Sequence, residues 1–445
     1  MSKEKKRLAV YRKNLRNQAE LLRVSDSVSA QHMLTPSGVS EYVLAPLVLD
    51  YSLWIIQSAI NDGIDQLYFL SRDGYVPYRA VSFLCREMHI HLSCRYFYCS
   101  RYALRVPMYS QNIDEALEYI CRSGIDVTLK KILIRSGFST DELPQLKKLF
   151  PEEDFDAIIP YSELGLLRKR LRADEKFIRL IAQRSDEMWP SLRGYFSQEG
   201  MLDDQWKTGI VDSGWTGSMQ KTIMDIRRRC GCKKNIYGYY FGLFETQDEN
   251  SPEYRRCYYF GPDGQIRDKS FFSNSLIECL FSAEQGTCTG YKNSDHHVEP
   301  VLKTWEKTPF KIKLLELYSS YVRTWAEQHK GHSALPRNQI LKSLRIFMTR
   351  PTEEEAAAYG SLPFSDDLMD DHLNEVAPVF TERQLSDNHI GSRLLAVSGL
   401  RKTAIHESAW FEASIVRSEK NHLARGYHRL SYMAYKILSR LRKML

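Results

Sequence analysis

The chain has 445 residues, 43% hydrophobic and 26% charged, an ordinary globular balance with enough apolar material for two or three domains. Its formal net charge of +7 is unevenly placed: residues 1–24 carry +6 and residues 423–445 carry +6, which leaves −5 for everything between. Basic ends on an acidic body exclude a nucleic-acid-binding core and suit contact with an anionic surface, such as the inner membrane leaflet. The opening MSKEKKRLAVYRKNLRN has no apolar run and so is not a secretory signal. No stretch approaches the roughly 18 apolar residues of a membrane span. Nine cysteines are scattered with no Cys-x-x-Cys pair, the closest being Cys230 and Cys232, and this usage fits a reducing cytoplasm.

In chain order, residues 1–24 read as a basic helix with Leu8, Leu15, Leu21 and Leu22 as apolar points, and residues 25–40, with Pro36 and Gly38, read as a linker. Residues 41–62 form a strongly apolar core helix kinked at Pro46, and Gly63 stops it. Gln66–Leu70 is a buried strand, Ser71-Arg72-Asp73-Gly74 a loop, and Tyr78–Met88 the following helix, with Pro77 near its first turn. Arg95–Cys99 is a further strand ending at Ser100 and Arg101. Residues 111–206 break the pattern with helical periodicity and read as an insertion or cap.

The stretch Lys207–Arg229 returns to strand, tight loop and helix. Gly209, Ile210 and Val211 end the strand, Asp212 follows, Gly214 and Gly217 allow the turn, and Thr216 or Ser218 caps the helix. Ile236–Phe241 is the next strand, and Ser275–Ser282 a later helix. The remainder, residues 301–445, reads as helical and ends in a basic amphipathic tail that packs on the body with its charged face in solvent. The domain plan is therefore a basic N-terminal helix and linker (1–40), the first part of an α/β core (41–110), a helical insertion (111–206), the second part of the core (207–300) and a helical C-terminal region (301–445).

Strands alternating with helices predict a Rossmann-like parallel sheet. In such sheets ligands gather beyond the carboxyl ends of the strands. Each predicted strand delivers polar groups there: Ser71, Arg72 and Asp73; Ser100 and Arg101; Asp212 and Ser213. A glycine loop before a helix points free N–H groups and a positive helix end at an anion, usually phosphate. A carboxylate beside that spot suits Mg2+, which favours carboxylate plus phosphate oxygens. Two other patterns carry less. The acids of Asp366–Asp371 read as first-turn helix acids, and Asp295-His296-His297 as a solvated turn. There is no Gly-x-Ser-x-Gly elbow and no Walker loop.

At LYFLSRDGYVPYRA (67–80), FYCSRYAL (97–104), GIVDSGWTGSMQ (209–220) and YGYYFGLF (237–244) the chain resembles a module of predicted hydrolases of the haloacid-dehalogenase (HAD) superfamily encoded with bacterial surface-polysaccharide genes. ECLFSAEQGTCTGY (278–291) fits the module's later part less specifically, and residues 1–40 hold no Asp-x-Asp motif. The resemblance implies a Rossmann-like sheet, a helical cap and Mg2+. It puts Ser71 at the nucleophile position, Asp73 at the general acid/base position, Ser100 at the phosphate-binding hydroxyl, and Asp212 at the metal-binding acid beside Asp73. Serine lacks the carboxylate that forms a phosphoaspartate, so either the chemistry is altered or the site binds without turnover. The same strand–loop–helix phrases also resemble type I phosphoribosyltransferases, with a phosphate loop two residues short.

Both resemblances lead to one expectation. A phosphorylated or nucleotide-linked sugar binds at the strand ends, with Arg72, Gly74, Arg101, Gly214, Thr216, Gly217 and Ser218 on its phosphate and Trp215 stacked on its sugar or base. The activity expected is phosphoester hydrolysis or phosphotransfer in surface-polysaccharide assembly. The alternatives are a phosphoribosyltransferase-like transferase and a non-catalytic phosphate-binding scaffold. The expected location is cytoplasmic, with the basic termini against the inner membrane face.

Overall fold

A computed structural model describes residues 2–442 apart from 125–126, 247–251, 305–307, 329–334, 336, 365–373, 402 and 404. The acids of Asp366–Asp371 thus lie outside the described residues. The fold is α/β, centred on five parallel strands: β1 (Gln66–Leu70), β2 (Ser93–Phe97), β3 (Thr208–Trp215), β4 (Tyr237–Leu243) and β5 (Arg255–Phe260), in the order β2-β1-β3-β4-β5.

Both faces of the sheet are covered, and the pleat sorts its side chains between them. Leu67, Phe69, Val211, Tyr239 and Phe241 join one core with the helices Ala45–Asn61, Tyr75–Glu87, Asn274–Phe281 and Pro309–Gln328. Their strand neighbours Tyr68, Leu70 and Ile210 join a second core with Glu175–Gln198 and Ser218–Arg229. The insertion between β2 and β3 builds its own core around Leu117, Ile120, Ile132, Leu133 and Ile181. Contrary to the expectation that no stretch approaches a membrane span, the segment Ser40–Asn61 is long and apolar enough by length and composition to cross one, and it is mostly buried inside the protein.

Three further expectations change. The strand before Asp212 does not stop at Val211 but runs to Trp215, because pairing with β4 continues through Asp212 with Tyr240, Gly214 with Gly242, and Trp215 with Leu243. The expected linker at 25–40 is instead helix as far as His32, with Val24 and Val28 buried in the main core and the chain beyond it packed at Ser37, Val39 and Ser40. The N-terminal helix Lys3–Asn14 is docked through Tyr11 to Glu355 (2.9 Å) and Asn14 to Ser343 (2.9 Å). Finally, the helix His422–Arg442 packs on the body, but with its charged face inward. Arg425 reaches Glu353 (2.8 Å), Lys436 reaches Glu412 (3.0 Å) and Arg440 lies 3.8 Å over the Phe244 ring.

Two glycines test the backbone logic. Gly214 has φ +111°, and a Cβ there would lie 2.3 Å from the Gly242 carbonyl oxygen. Gly426 sits in the last helix with nothing within contact of an added Cβ. Gly214→Ala is expected to lower unfolding free energy by ~2 kcal/mol or more, and Gly426→Ala to raise it by ~0.5–1 kcal/mol. Denaturant midpoints check both, and the account fails if the signs are equal.

Candidate functional site

The strand order places a topological switch between β1 and β3, where chain connections leave in opposite directions and a crevice opens beyond the strand ends. A cavity of about 1050 Å³ occupies this place. Its wall contains Ser71, Arg72 and Asp73 from the turn after β1, Ser100 and Arg101 from after β2, and Asp212 with Gly214 to Thr216 and Ser218 from β3 and the following turn. The three sequence-distant groups therefore share one pocket.

Asp73 and Asp212 form its centre. The Ser213 amide favours the charged form of both carboxylates, as do the Asp73 amide for Asp73 and the Gly214 amide for Asp212. Asp73 is pushed up to about 7, first by loss of water and then by repulsion from Asp212. Asp212 is likewise pushed up to about 7, first by loss of water and then by the Glu278 carboxylate. Arg72 and Arg101 oppose these shifts, acting on Asp73 and Asp212 respectively. Two crowded carboxylates flanked by two guanidiniums suit a ligand that carries its own oxygen anions. With a bridging cation they also form a donor set for Mg2+, completed by ligand oxygens and water. No group of three or more His, Cys, Asp or Glu side chains placed to hold a metal occurs among the described residues, so a metal here would rest on this pair and the ligand.

Other expected residues take structural duties. The Ser71 hydroxyl donates to the Cys99 carbonyl (2.7 Å) and accepts from the Cys99 amide (2.9 Å). Its proton points to a carbonyl and not to a base, which does not activate a nucleophile. Ser100 donates to the Cys288 carbonyl (2.7 Å) and caps the short helix after it through Ala103 N (3.0 Å). Gly74 closes the turn by donating to Leu70 O (2.9 Å) and does not line the cavity. Gly217 is the helix cap, in left-handed conformation with φ +65°, so neither Thr216 nor Ser218 performs that role. A Cβ on Gly217 would face Arg255 and Tyr240, away from the cavity. Of the four residues expected to cradle a phosphate, Gly214, Thr216 and Ser218 line the cavity and Gly217 does not. Trp215 lines the cavity, but its ring packs 5.2 Å from Phe272 and 5.9 Å from Phe244, and its indole N–H donates to Glu278.

Glu278, which no strand-end pattern in the sequence marks, also lines the cavity. It lies on the helix Asn274–Phe281, which starts on the Ser273 cap and ends where the buried Lys311 ammonium donates to the carbonyls of Cys279 and Leu280. Desolvation lowers the Lys311 pKa to about 7. The insertion supplies the far wall, where the guanidiniums of Arg105 and Arg122 lie 4.4 and 5.0 Å from the Tyr119 ring centre. Helical periodicity marked this segment as helix, but nothing in its spacing told which face meets the strand ends.

A scan of protein-family profiles finds no match to this chain, and a search of curated proteins finds no relative.

The raised pair has a measurable consequence. Its folded pKa values lie above the ordinary aspartate value of about 3.9, so the pair's contribution to stability falls as pH rises from ~4 to about 7 and is level above that. Asp212→Asn removes the repulsion. Its melting temperature is expected to exceed that of the wild type at about pH 8, by the equivalent of ~1–2 kcal/mol, and to converge with it near pH 4. Thermal melts across this range check the effect, and an Asn variant less stable at high pH would contradict it. Glu278→Gln is expected to lower the pKa of Asp212, read as a downward shift of the same transition.

Proposed function

We propose that this chain binds a phosphorylated or nucleotide-linked sugar at the β1/β3 crevice and acts on its phosphoester, with Asp73 and Asp212 as the acid–base pair. The observation that carries the reading is the pair itself: two carboxylates from neighbouring parallel strands on the wall of one cavity, flanked by Arg72 and Arg101. Near neutral pH such a pair holds one proton between its members, so one carboxylate accepts a proton from an attacking water or hydroxyl while the other donates to a leaving oxygen. The arginines neutralise charge on the phosphoryl oxygens. Mg2+, when bound, would be held by Asp73 and Asp212 and would supply further charge neutralisation. The resemblance to the HAD-type module adds surface-polysaccharide assembly as the setting.

The engaged hydroxyl of Ser71 favours a second reading, in which the cavity binds the phosphorylated ligand without turnover. A panel of sugar phosphates and nucleotide sugars, assayed with Mg2+, separates the two. Asp73→Asn and Asp212→Asn are each expected to lower turnover by ~100-fold or more. Turnover that survives both substitutions rejects this site. Absence of turnover, with inorganic phosphate raising the melting temperature of the wild type, supports the binding reading.

A further inference from the structure

The helix His422–Arg442 is turned inside out relative to an ordinary surface helix. Leu423, Tyr427 and Leu430, at successive spacings of four and three, are 86%, 64% and 74% exposed, and Leu438 and Leu441 lie on the same face two turns further on, with half-buried Ala434 and Ile437 between. The charged side chains that would ordinarily face water point inward instead, to Glu353, Glu412 and the Phe244 ring. The adjoining helix Ile390–Val397, joined to it through Ile390 N to Ser431 Oγ (3.1 Å), carries exposed Leu394, Leu395 and Val397. Isolated apolar residues on a surface need no explanation, but five exposed apolar side chains on one helix face mark an interaction face.

We infer that this stripe is a docking face for an anionic lipid bilayer, with the helix lying along the surface and its leucines in the acyl boundary. Two observations choose the bilayer. First, the helix contains no Asp or Glu, and cations flank its ends: the Lys3 ammonium lies 3.4 Å from His422 Nε2 at the head, with Lys5 and Lys6 exposed on the same N-terminal helix, and Arg442 is exposed at the tail. Anionic headgroups complement those charges. A second copy packed stripe to stripe would set cations against cations with no carboxylate on the helix to relieve them. Second, the stripe is a ridge ~30 Å long at helical rise, a shape that a fluid bilayer accepts without a matching groove. The driving force is burial of leucine, with basic ends as a second attachment.

The test is flotation of the full chain with vesicles of phosphatidylcholine alone and of phosphatidylcholine mixed with phosphatidylglycerol. Binding to the mixed vesicles is expected, reduced by about tenfold or more in Leu423→Glu/Leu430→Glu. Both side chains are exposed, so the melting temperature of that variant stays at the wild-type value. Lys3→Glu/Arg442→Glu is expected to abolish the preference for mixed over neutral vesicles. Three results would overturn the inference: no binding to either vesicle, binding indifferent to the leucine changes, or a light-scattering dimer without vesicle binding that Leu423→Glu/Leu430→Glu dissociates. None of these readouts depends on the chemistry of the cavity.

Discussion

Everything at the strand edge depends on one awkward arrangement, the Asp73 and Asp212 carboxylates brought together on the wall of one cavity, where each holds its proton more tightly than a free aspartate. Left to itself this pair destabilises the fold at neutral pH. It persists because the two strands that carry it are central and parallel, with cores on both sides, and because Gly214 and Gly242 let β3 and β4 pair closely beside it. The rigid frame holds an unfavourable charge pattern that a cation or a proton would relieve, as functional sites commonly do.

The surrounding side chains make sense as responses to that pattern. Arg72 and Arg101 offset the charge from the flanks. Glu278 adds to it, and is itself held by the Trp215 indole and by a helix whose end carbonyls are gripped by Lys311. Ser71 and Ser100 serve the frame, tying the turn after β1 to β2 and the start of the next helix to Cys288. The insertion closes the opposite wall with Tyr119 stacked by two arginines, so one cavity joins the sheet edge to the insertion.

Much of this was legible from the sequence, for a definite reason. Apolar runs ending in Ser-Arg-Asp-Gly and in Asp-Ser-Gly are strands whose polar groups leave at the carboxyl end, so the meeting of Asp73 and Asp212 follows once the strands are parallel neighbours. What could not be read was the partner of each polar atom. The hydroxyls of Ser71 and Ser100 are engaged by backbone groups 28 and 188 residues away. Glu278 comes from a helix with no strand-end signature. Pro36 and Gly38 suggested a linker, yet the buried spacing of Val24 and Val28 carries the helix on to His32. The last helix reads as having a solvated basic face because its carboxylate partners, Glu353 and Glu412, lie elsewhere in the chain.

The most direct test of the central claim is the titration of the two carboxylates, followed by NMR in protein labelled with 13C at the aspartate side chains. Two coupled steps near neutral pH are predicted for Asp73 and Asp212, and replacing Asp212 by Asn should lower the Asp73 step while burial still holds it above the ordinary carboxylate range. Independent titration of both near pH 4, unchanged when the neighbour is replaced, would contradict the account.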